Sequence, residues 1–237
     1  MVKAVLFDMD GTVLDTARDL AEAVNAAMAA RGRRSDFTAA DACRLFGSGL
    51  DVALRRALAL EAGAPEEALL SIGTSAEGPI DPQTAAEVAV LRALYLPFYA
   101  AHCRIHTAPY PGIPEMLRAL RGAGIATAVV SNKPDPAVQI LAREVFPGLF
   151  DLAVGERPGV PRKPAPDMLE GALQALQVAP EAACYVGDTE VDLQAARAVR
   201  VPLVAVAWGF RTARVLAALG AERIATDAAQ LQAMLLG

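Results

Sequence analysis

Cysteine, excess positive charge and long apolar runs are all scarce in this chain of 237 residues, and each shortage excludes a class of protein. The three cysteines, Cys43, Cys103 and Cys184, are odd in number, widely spaced and include no Cys-x-x-Cys pair. This pattern argues against a disulfide framework and against a zinc site. Cys184 lies in a short apolar run and is expected to be a small buried side chain.

The net charge of −5 argues against functions that need a basic surface. Neutralising a nucleic-acid backbone requires clustered lysine and arginine, so no nucleic-acid partner is expected. The apolar run near the start of the chain ends at Asp8, which is far too early for a signal peptide or a membrane span. We therefore expect no targeting segment and no membrane partner, and the cytoplasm is the expected compartment.

Apolar residues are abundant, at 54% of the chain, and provide material for a large buried core. After residue 109, strand patterns alternate with helical patterns, which indicates a parallel sheet with helices on both faces. Residues 16–108 have an almost wholly helical pattern and separate the first strand from the others. Strands are predicted at 3–7, 125–130, 149–154, 183–186 and 203–207, and the helices between and after them at 114–121, 136–145, 165–176, 189–199 and 228–235.

The predicted fold class is therefore α/β, with a doubly wound parallel sheet formed by residues 1–15 and 109–237. Residues 16–108 are predicted to be an inserted α-helical domain. In an open parallel sheet, ligands bind at the carboxyl ends of the strands. Four polar clusters are expected to meet at that edge: Asp8-Met9-Asp10-Gly11-Thr12, Ser131-Asn132-Lys133, Arg162-Lys163-Pro164 and Gly187-Asp188-Thr189-Glu190-Val191-Asp192.

Each cluster alone has a structural explanation. An Asp-x-Asp-Gly segment often forms a turn, Ser131 would suit a helix cap, and a lysine such as Lys163 is usually solvated. Asp188 and Asp192 would share one face of a helix, where like charges repel each other. Four carboxylates that converge with a lysine are hard to explain by structure alone, so the clusters together predict a functional site.

The chemistry of these groups predicts a magnesium cofactor. Mg²⁺ prefers a few carboxylate oxygens together with water and substrate phosphate. Asp8, the backbone carbonyl of Asp10 and Asp188 are the predicted protein ligands. The cation would lower the repulsion between an anionic nucleophile and an anionic phosphate group.

The same groups predict hydrolysis of a phosphate ester. Asp8 is expected to attack phosphorus and form an acyl-phosphate, while Asp10 protonates the leaving oxygen and later activates water. Ser131, with the backbone N–H groups that follow it, is expected to hold phosphate oxygens. Lys163 is expected to add positive charge. The predicted partner is a small phosphorylated metabolite.

In its four motifs the chain resembles the haloacid dehalogenase superfamily of phosphatases, whose motifs occur in the same order. The resemblance implies a Rossmann-like catalytic core at 1–15 and 109–237 and a helical cap domain at 16–108. It also implies that Asp188 is a metal ligand and that Asp192 supports the metal site by holding the ligands, without binding the ion itself. The motifs are Asp8-Met9-Asp10-Gly11-Thr12-Val13-Leu14-Asp15-Thr16, Val130-Ser131-Asn132-Lys133, Lys163-Pro164-Ala165-Pro166 and residues 187–192.

Within the superfamily, the chain looks most like the phosphoglycolate phosphatases. The similar segments are Gly47-Ser48-Gly49, Arg56-Ala57-Leu58 and Trp208-Gly209-Phe210. The resemblance implies that the cap recognises the leaving group. Gly47, Ser48 and Gly49 are expected to form a loop whose backbone approaches the substrate, with the positive end of the next helix directed toward it.

Three other residues are candidate substrate contacts. Thr12 and Asn132 belong to the motifs of the core. Arg56 either adds positive charge in the cap or lies solvated at the surface, which is the usual place for an arginine.

Several alternatives remain beside the phosphatase. A dehalogenase is disfavoured by Asp10, because a halide leaves without needing a proton. A sugar-phosphate phosphatase or a phosphomutase would use the same two aspartates and stays open. A non-catalytic binding module is disfavoured by the intact set of Asp8, Asp10, Lys163 and Asp188. The expected assembly is a monomer or a homodimer.

Overall fold

The computed structural model describes residues 2–74 and 77–237 of the chain. Its helices are α1 (Ala17–Ala29), α2 (Ala39–Leu45), α3 (Leu50–Glu61), α4 (Glu66–Ser71), α5 (Pro82–His102), α6 (Ile113–Gly122), α7 (Asp135–Val145), α8 (Asp167–Leu176), α9 (Glu190–Val199), α10 (Ala213–Ala218) and α11 (Ala228–Leu236). Its strands are β1 (Ala4–Phe7), β2 (Leu14–Asp15), β3 (Ala108–Pro109), β4 (Ala126–Pro134), β5 (Leu152–Glu156), β6 (Ala183–Gly187), β7 (Leu203–Val206) and β8 (Ile224–Ala225).

The chain divides into two compact units. One contains the residues up to Asp15 together with Ala108–Gly237, and the other contains Thr16–Thr107. The first unit holds a six-stranded sheet in the order β5-β4-β1-β6-β7-β8. Every neighbouring pair in that sheet is parallel.

The central strand, β1, is buried along its whole length, as expected for a strand covered on both faces. Val5 and Phe7 pack into one apolar cluster, which includes side chains of α6, α7 and α11. Ala4 and Leu6 point the opposite way, into a second cluster with side chains of α8 and α9. Helices therefore cover both faces, and the predicted doubly wound parallel fold is confirmed.

Two strand boundaries differ from the prediction by three residues or more. β5 begins three residues later than expected, because Leu149 lies in a turn where its N–H donates to the Phe146 carbonyl at 3.0 Å. β4 continues to Pro134 instead of ending at Val130, with an irregular register against β5 over its last residues. The residues from Ser131 to Lys133 therefore belong to the end of a strand and not to a loop.

In the second unit, the described residues fold into helices α1 to α5. Asp19, in the first turn of α1, accepts hydrogen bonds from the backbone N–H groups of His106 and Thr107, each at 2.9 Å. The end of this unit is thereby tied to its first helix. None of the helices in the described parts of the chain combines the length and the apolar character needed to cross a membrane.

Candidate active site

The register of three central strands brings the motif residues to one edge of the sheet. Phe7 of β1 is paired with Val129 of β4 on one side and with Val186 of β6 on the other. Asp8 follows β1 directly, and its N–H donates to the Val186 carbonyl at 2.8 Å. The chain winds in opposite directions from β1 toward β4 and toward β6, which makes this the point where ligands bind in such sheets.

A buried lysine lies at the centre of the site. Lys163 Nζ is 3.0 Å from Asp8 Oδ1 and 2.8 Å from Asp192 Oδ1, and it donates to the Tyr185 hydroxyl at 2.6 Å. Only 1% of the Lys163 side chain is exposed. Asn132 Nδ2 donates to the Lys163 carbonyl at 2.8 Å, so the segment that carries the lysine is held to the end of β4.

Asp192 organises the loop after β6. Its Oδ1 accepts hydrogen bonds from Lys163 and Tyr185, and its Oδ2 accepts from the N–H groups of Asp188 and Thr189 and from the Thr189 hydroxyl. Asp188 and Asp192 do not share a helix face, because α9 begins at Glu190, after Asp188. Thr189 is instead the N-cap of α9, and Asp192 accepts from its backbone N–H in a capping box, while the Asp188 N–H donates to the same Asp192 oxygen.

Asp188 is completely buried and each of its oxygens accepts one hydrogen bond. The Thr12 hydroxyl donates to Oδ1 at 2.8 Å, and the Phe210 N–H donates to Oδ2 at 2.7 Å. The structure thus gives the Thr12 side chain a contact with Asp188, whereas the sequence predicted a contact with substrate.

Three of the predicted residues form a cluster suited to a metal ion. One carboxylate oxygen from each of Asp8, Asp188 and Asp192 lies within 4.8 Å of the others. Such oxygen donors suit a hard cation. Since both oxygens of Asp192 already accept several hydrogen bonds, the better-placed ligands are Asp8 and Asp188.

The electrostatics of the cluster agree with this fit. Burial raises the pKa of Asp8 to about 6, assisted by the charges of Asp192 and Asp10 and opposed by Lys163. Burial and the neighbouring carboxylates raise the pKa of Asp188 well above its usual range. Burial also disfavours charge on Asp192, but the Lys163 ammonium more than offsets it and lowers the pKa of Asp192. One ammonium is insufficient for three buried carboxylates, and a divalent cation would balance them.

A second lysine, Lys133, was given no role by the sequence analysis. Its Nζ forms an ion pair with Asp10 Oδ1 at 2.6 Å, and only 2% of its side chain is exposed. Ser131 and Lys133 lie two residues apart on one strand, so their side chains share a face. That spacing is a signal that could have identified Lys133. Tyr185 carried no such signal, because it lies within a continuous apolar strand.

The candidate residues of the second unit form a separate cluster. Gly47 and Gly49 have φ values of +115° and +88°, which strongly favour glycine. Gly49 directly precedes α3, as expected. Arg56 is fully buried and donates to the Ser48 hydroxyl at 3.4 Å and to the carbonyls of Leu45 and Ile72 at 3.1 Å and 3.0 Å.

The expectation of a solvated Arg56 is therefore wrong. A buried guanidinium needs several acceptors, and the Leu45 and Ile72 carbonyls supply them. Arg56 therefore lies in the interior of the unit and holds the loop from Gly47 to Gly49 through its hydrogen bond to Ser48.

Comparisons with known proteins agree with this geometry. A family model described as haloacid dehalogenase-like hydrolase matches residues 2–200. The phosphoglycolate phosphatase of Shigella boydii is 32% identical over 215 residues, which cover 88% of this chain and 82% of that protein. The phosphoglycolate phosphatase of Salmonella typhi is 32% identical over 222 residues, covering 91% and 85%.

A solved structure is also similar over nearly the full length. It is a protein from Lactobacillus delbrueckii subsp. bulgaricus, described provisionally as a phosphoglycolate phosphatase. It is 46% identical, with a TM-score of 0.95, and the match covers 99% of this chain and 98% of the other.

Proposed function

The chain belongs to the haloacid dehalogenase-like hydrolases, and on that premise we propose that it is a magnesium-dependent phosphatase acting through a phospho-aspartate on Asp8. One observation carries the proposal. Asp8 is buried at the carboxyl end of the central strand, with the Lys163 ammonium 3.0 Å from its Oδ1 and the Asp188 carboxylate in the same cluster. A carboxylate in this setting can approach an anionic phosphate group.

The chemical steps use two aspartates. A carboxylate oxygen of Asp8 attacks phosphorus, the bond from phosphorus to the leaving oxygen breaks, and Asp10, which is in its protonated form at this step, gives its proton to that oxygen. Asp10 then takes a proton from a water molecule, which attacks phosphorus and breaks the bond to Asp8. Inorganic phosphate leaves and both aspartates return to their starting state.

Asp8, the backbone carbonyl of Asp10 and Asp188 are the proposed ligands of the ion. When bound, Mg²⁺ supplies positive charge that lowers the repulsion between Asp8 and the phosphate group. Asp192 acts indirectly, because its contacts hold the Asp188 backbone and the Lys163 ammonium. Ser131 and the backbone N–H groups after it are the proposed donors to phosphate oxygens.

Lys133 is the proposed positioning residue for Asp10. Replacing Lys133 with methionine removes the ammonium that holds the carboxyl group of Asp10 in position, so proton transfer to the leaving oxygen should be slower. General acid catalysis contributes about 10²- to 10⁴-fold, so kcat for an alkyl phosphate should fall by about 10-fold or more. An activated aryl phosphate, whose leaving group needs no proton, should lose much less.

The control for this variant is Lys3→Met, at an exposed lysine outside the site. It should leave kcat for both esters unchanged. Equal losses for the alkyl and aryl esters in Lys133→Met would contradict the positioning role.

We further propose that the substrate is a small phosphorylated acid of the phosphoglycolate type. The support comes from the 32% identical curated relatives and from the buried Arg56 that holds Ser48. A small acid offers few contacts, so its recognition needs backbone N–H donors or a cation at close range. The loop from Gly47 to Gly49 is the proposed source of those donors.

Release of inorganic phosphate from phosphoglycolate and from a panel of sugar phosphates tests the substrate. We expect the highest kcat/KM for phosphoglycolate. Gly49→Ala should lower that value by about 10-fold or more, because small displacements at a recognition site have large effects. It should have little effect on an aryl phosphate.

Gly63→Ala is the matched control, since Gly63 also has a positive φ of +82°, but a Cβ atom added there would meet no atom of a non-adjacent residue within 4 Å. Parallel losses for phosphoglycolate and the aryl phosphate, or a preference for sugar phosphates, would refute the substrate while leaving the phosphatase intact. Isomerisation without net phosphate release would favour the phosphomutase alternative.

A further inference from the structure

The segment after β7, Trp208–Arg211, contacts two separate loops of the candidate active site. Trp208 Nε1–H donates to the Thr12 carbonyl at 3.0 Å, and the Phe210 N–H donates to Asp188 Oδ2 at 2.7 Å. Thr12 belongs to the loop after β1, and Asp188 to the loop after β6. One short segment therefore holds both.

Gly209 lies where this segment comes closest to the site. A Cβ atom there would be 2.2 Å from the Gly11 carbonyl oxygen and 2.4 Å from Asp188 Oδ2. Both distances are far below van der Waals contact. Since Gly209 has no positive φ, the requirement for glycine is one of space and not of backbone conformation.

The far end of the segment is also anchored. Arg211 is buried and donates through Nε and Nη2 to the two carboxylate oxygens of Glu190, each at 2.9 Å. Such paired contacts fix direction as well as distance. Glu190 is the first residue of α9 and lies just after Asp188 and Thr189. The segment is therefore held at one end by the Thr12 carbonyl and at the other by Glu190, with the Asp188 contact between them.

We propose that Trp208–Arg211 is a positioning segment that sets the orientation of Asp188 for binding a divalent cation. The inference rests on the proposed function, in which Asp188 is a ligand. The Thr12 and Phe210 donors use one acceptor position on each Asp188 oxygen, and a carboxylate oxygen has two. The carboxylate is thus held in one orientation while acceptor capacity for a cation remains.

The inference can be tested by measuring Mg²⁺ binding to the substrate-free protein by isothermal titration calorimetry. Gly209→Ala should raise the dissociation constant for Mg²⁺ by about 10- to 100-fold, the usual effect of losing a group that orients a metal ligand. The Mg²⁺ concentration needed for half-maximal phosphatase activity should rise in parallel. Gly171→Ala is the control and should bind Mg²⁺ like the wild type, because Gly171 is exposed and a Cβ atom added there would meet no atom within 4 Å outside the backbone of its own helix.

Trp208→Phe provides a milder second variant if Gly209→Ala fails to fold. It replaces the indole with a smaller ring that lacks the N–H donor to the Thr12 carbonyl, and it should weaken Mg²⁺ binding by a smaller factor in the same direction. Wild-type Mg²⁺ affinity in the folded variants, even with a lower melting temperature, would identify a purely structural segment and overturn the inference alone. Absence of Mg²⁺ binding by the wild type would overturn the proposed function as well.

Discussion

Replacing Asp8 with asparagine should abolish turnover while the protein remains folded. The amide has nearly the same shape as the carboxylate but cannot attack phosphorus. Loss of a nucleophile lowers kcat by about 10⁴-fold or more, and we expect a fall on that scale for every phosphate ester. Phosphate release by the purified variant, together with circular dichroism to confirm the fold, provides the measurement.

The fold of this variant should survive because the buried charge at Asp8 is itself unfavourable. Burial raises the pKa of Asp8 to about 6, which means that the charged carboxylate destabilises the folded state at neutral pH. Replacing it with a neutral amide removes this unfavourable contribution to the free energy of folding. Asp36→Asn, at an exposed carboxylate of the second unit, serves as the control and should retain full activity. Activity above a few per cent of wild type in Asp8→Asn would contradict the nucleophilic role.

Removal of divalent cations should likewise stop turnover, and added Mg²⁺ should restore it. Without the cation, Asp8 and Asp188 repel both each other and the phosphate group. Ca²⁺ should inhibit, because its larger and looser coordination shell displaces nucleophile and phosphate from each other. Full activity in excess chelator would contradict the metal requirement.

The free energy of unfolding should depend on pH because of the carboxylates in this site. The pKa of Asp8 in the metal-free protein is about 6, above the value of about 3.9 for an unfolded aspartate. The folded state therefore binds the proton more tightly, and its stability falls as pH rises between these two values. Asp188, whose pKa is also raised, acts in the same direction.

Mg²⁺ must displace protons from these carboxylates before it binds. The rise in melting temperature caused by Mg²⁺ should therefore be larger at about pH 7.5 than at about pH 5. Thermal melts with and without Mg²⁺ at both pH values check this expectation. A stabilisation that is equal at the two values, or larger at the lower one, would show that the cation binds elsewhere.

The sheet and the identity of the core motifs could be predicted because both depend on local patterns. A buried parallel strand such as β1 is a continuous apolar run, and the polar residues that follow it stand out in the sequence. The two-residue strands β2, β3 and β8 were missed because they are too short to show any periodicity.

The contacts that the sequence analysis missed depend on partners far apart along the chain. Arg56 is buried because the carbonyls of Leu45 and Ile72 accept its hydrogen bonds, and neither partner can be recognised from the sequence. The pairing of Lys133 with Asp10 spans 123 residues. The Lys133–Asp10 pair forms because the sheet brings the end of β4 close to the loop that follows β1.

The central claim is that the phosphoryl group passes through Asp8, and trapping it there is the most direct test. The protein with Mg²⁺ and an activated aryl phosphate is quenched in acid during a single turnover, and its peptides are analysed by mass spectrometry. We expect the peptide that contains Asp8 to carry one phosphoryl group, to carry more of it in Asp10→Asn, where hydrolysis is slowed, and to carry none in Asp8→Asn. A phosphoryl group on another residue, or rapid phosphate release with no labelled peptide at any time, would contradict the account.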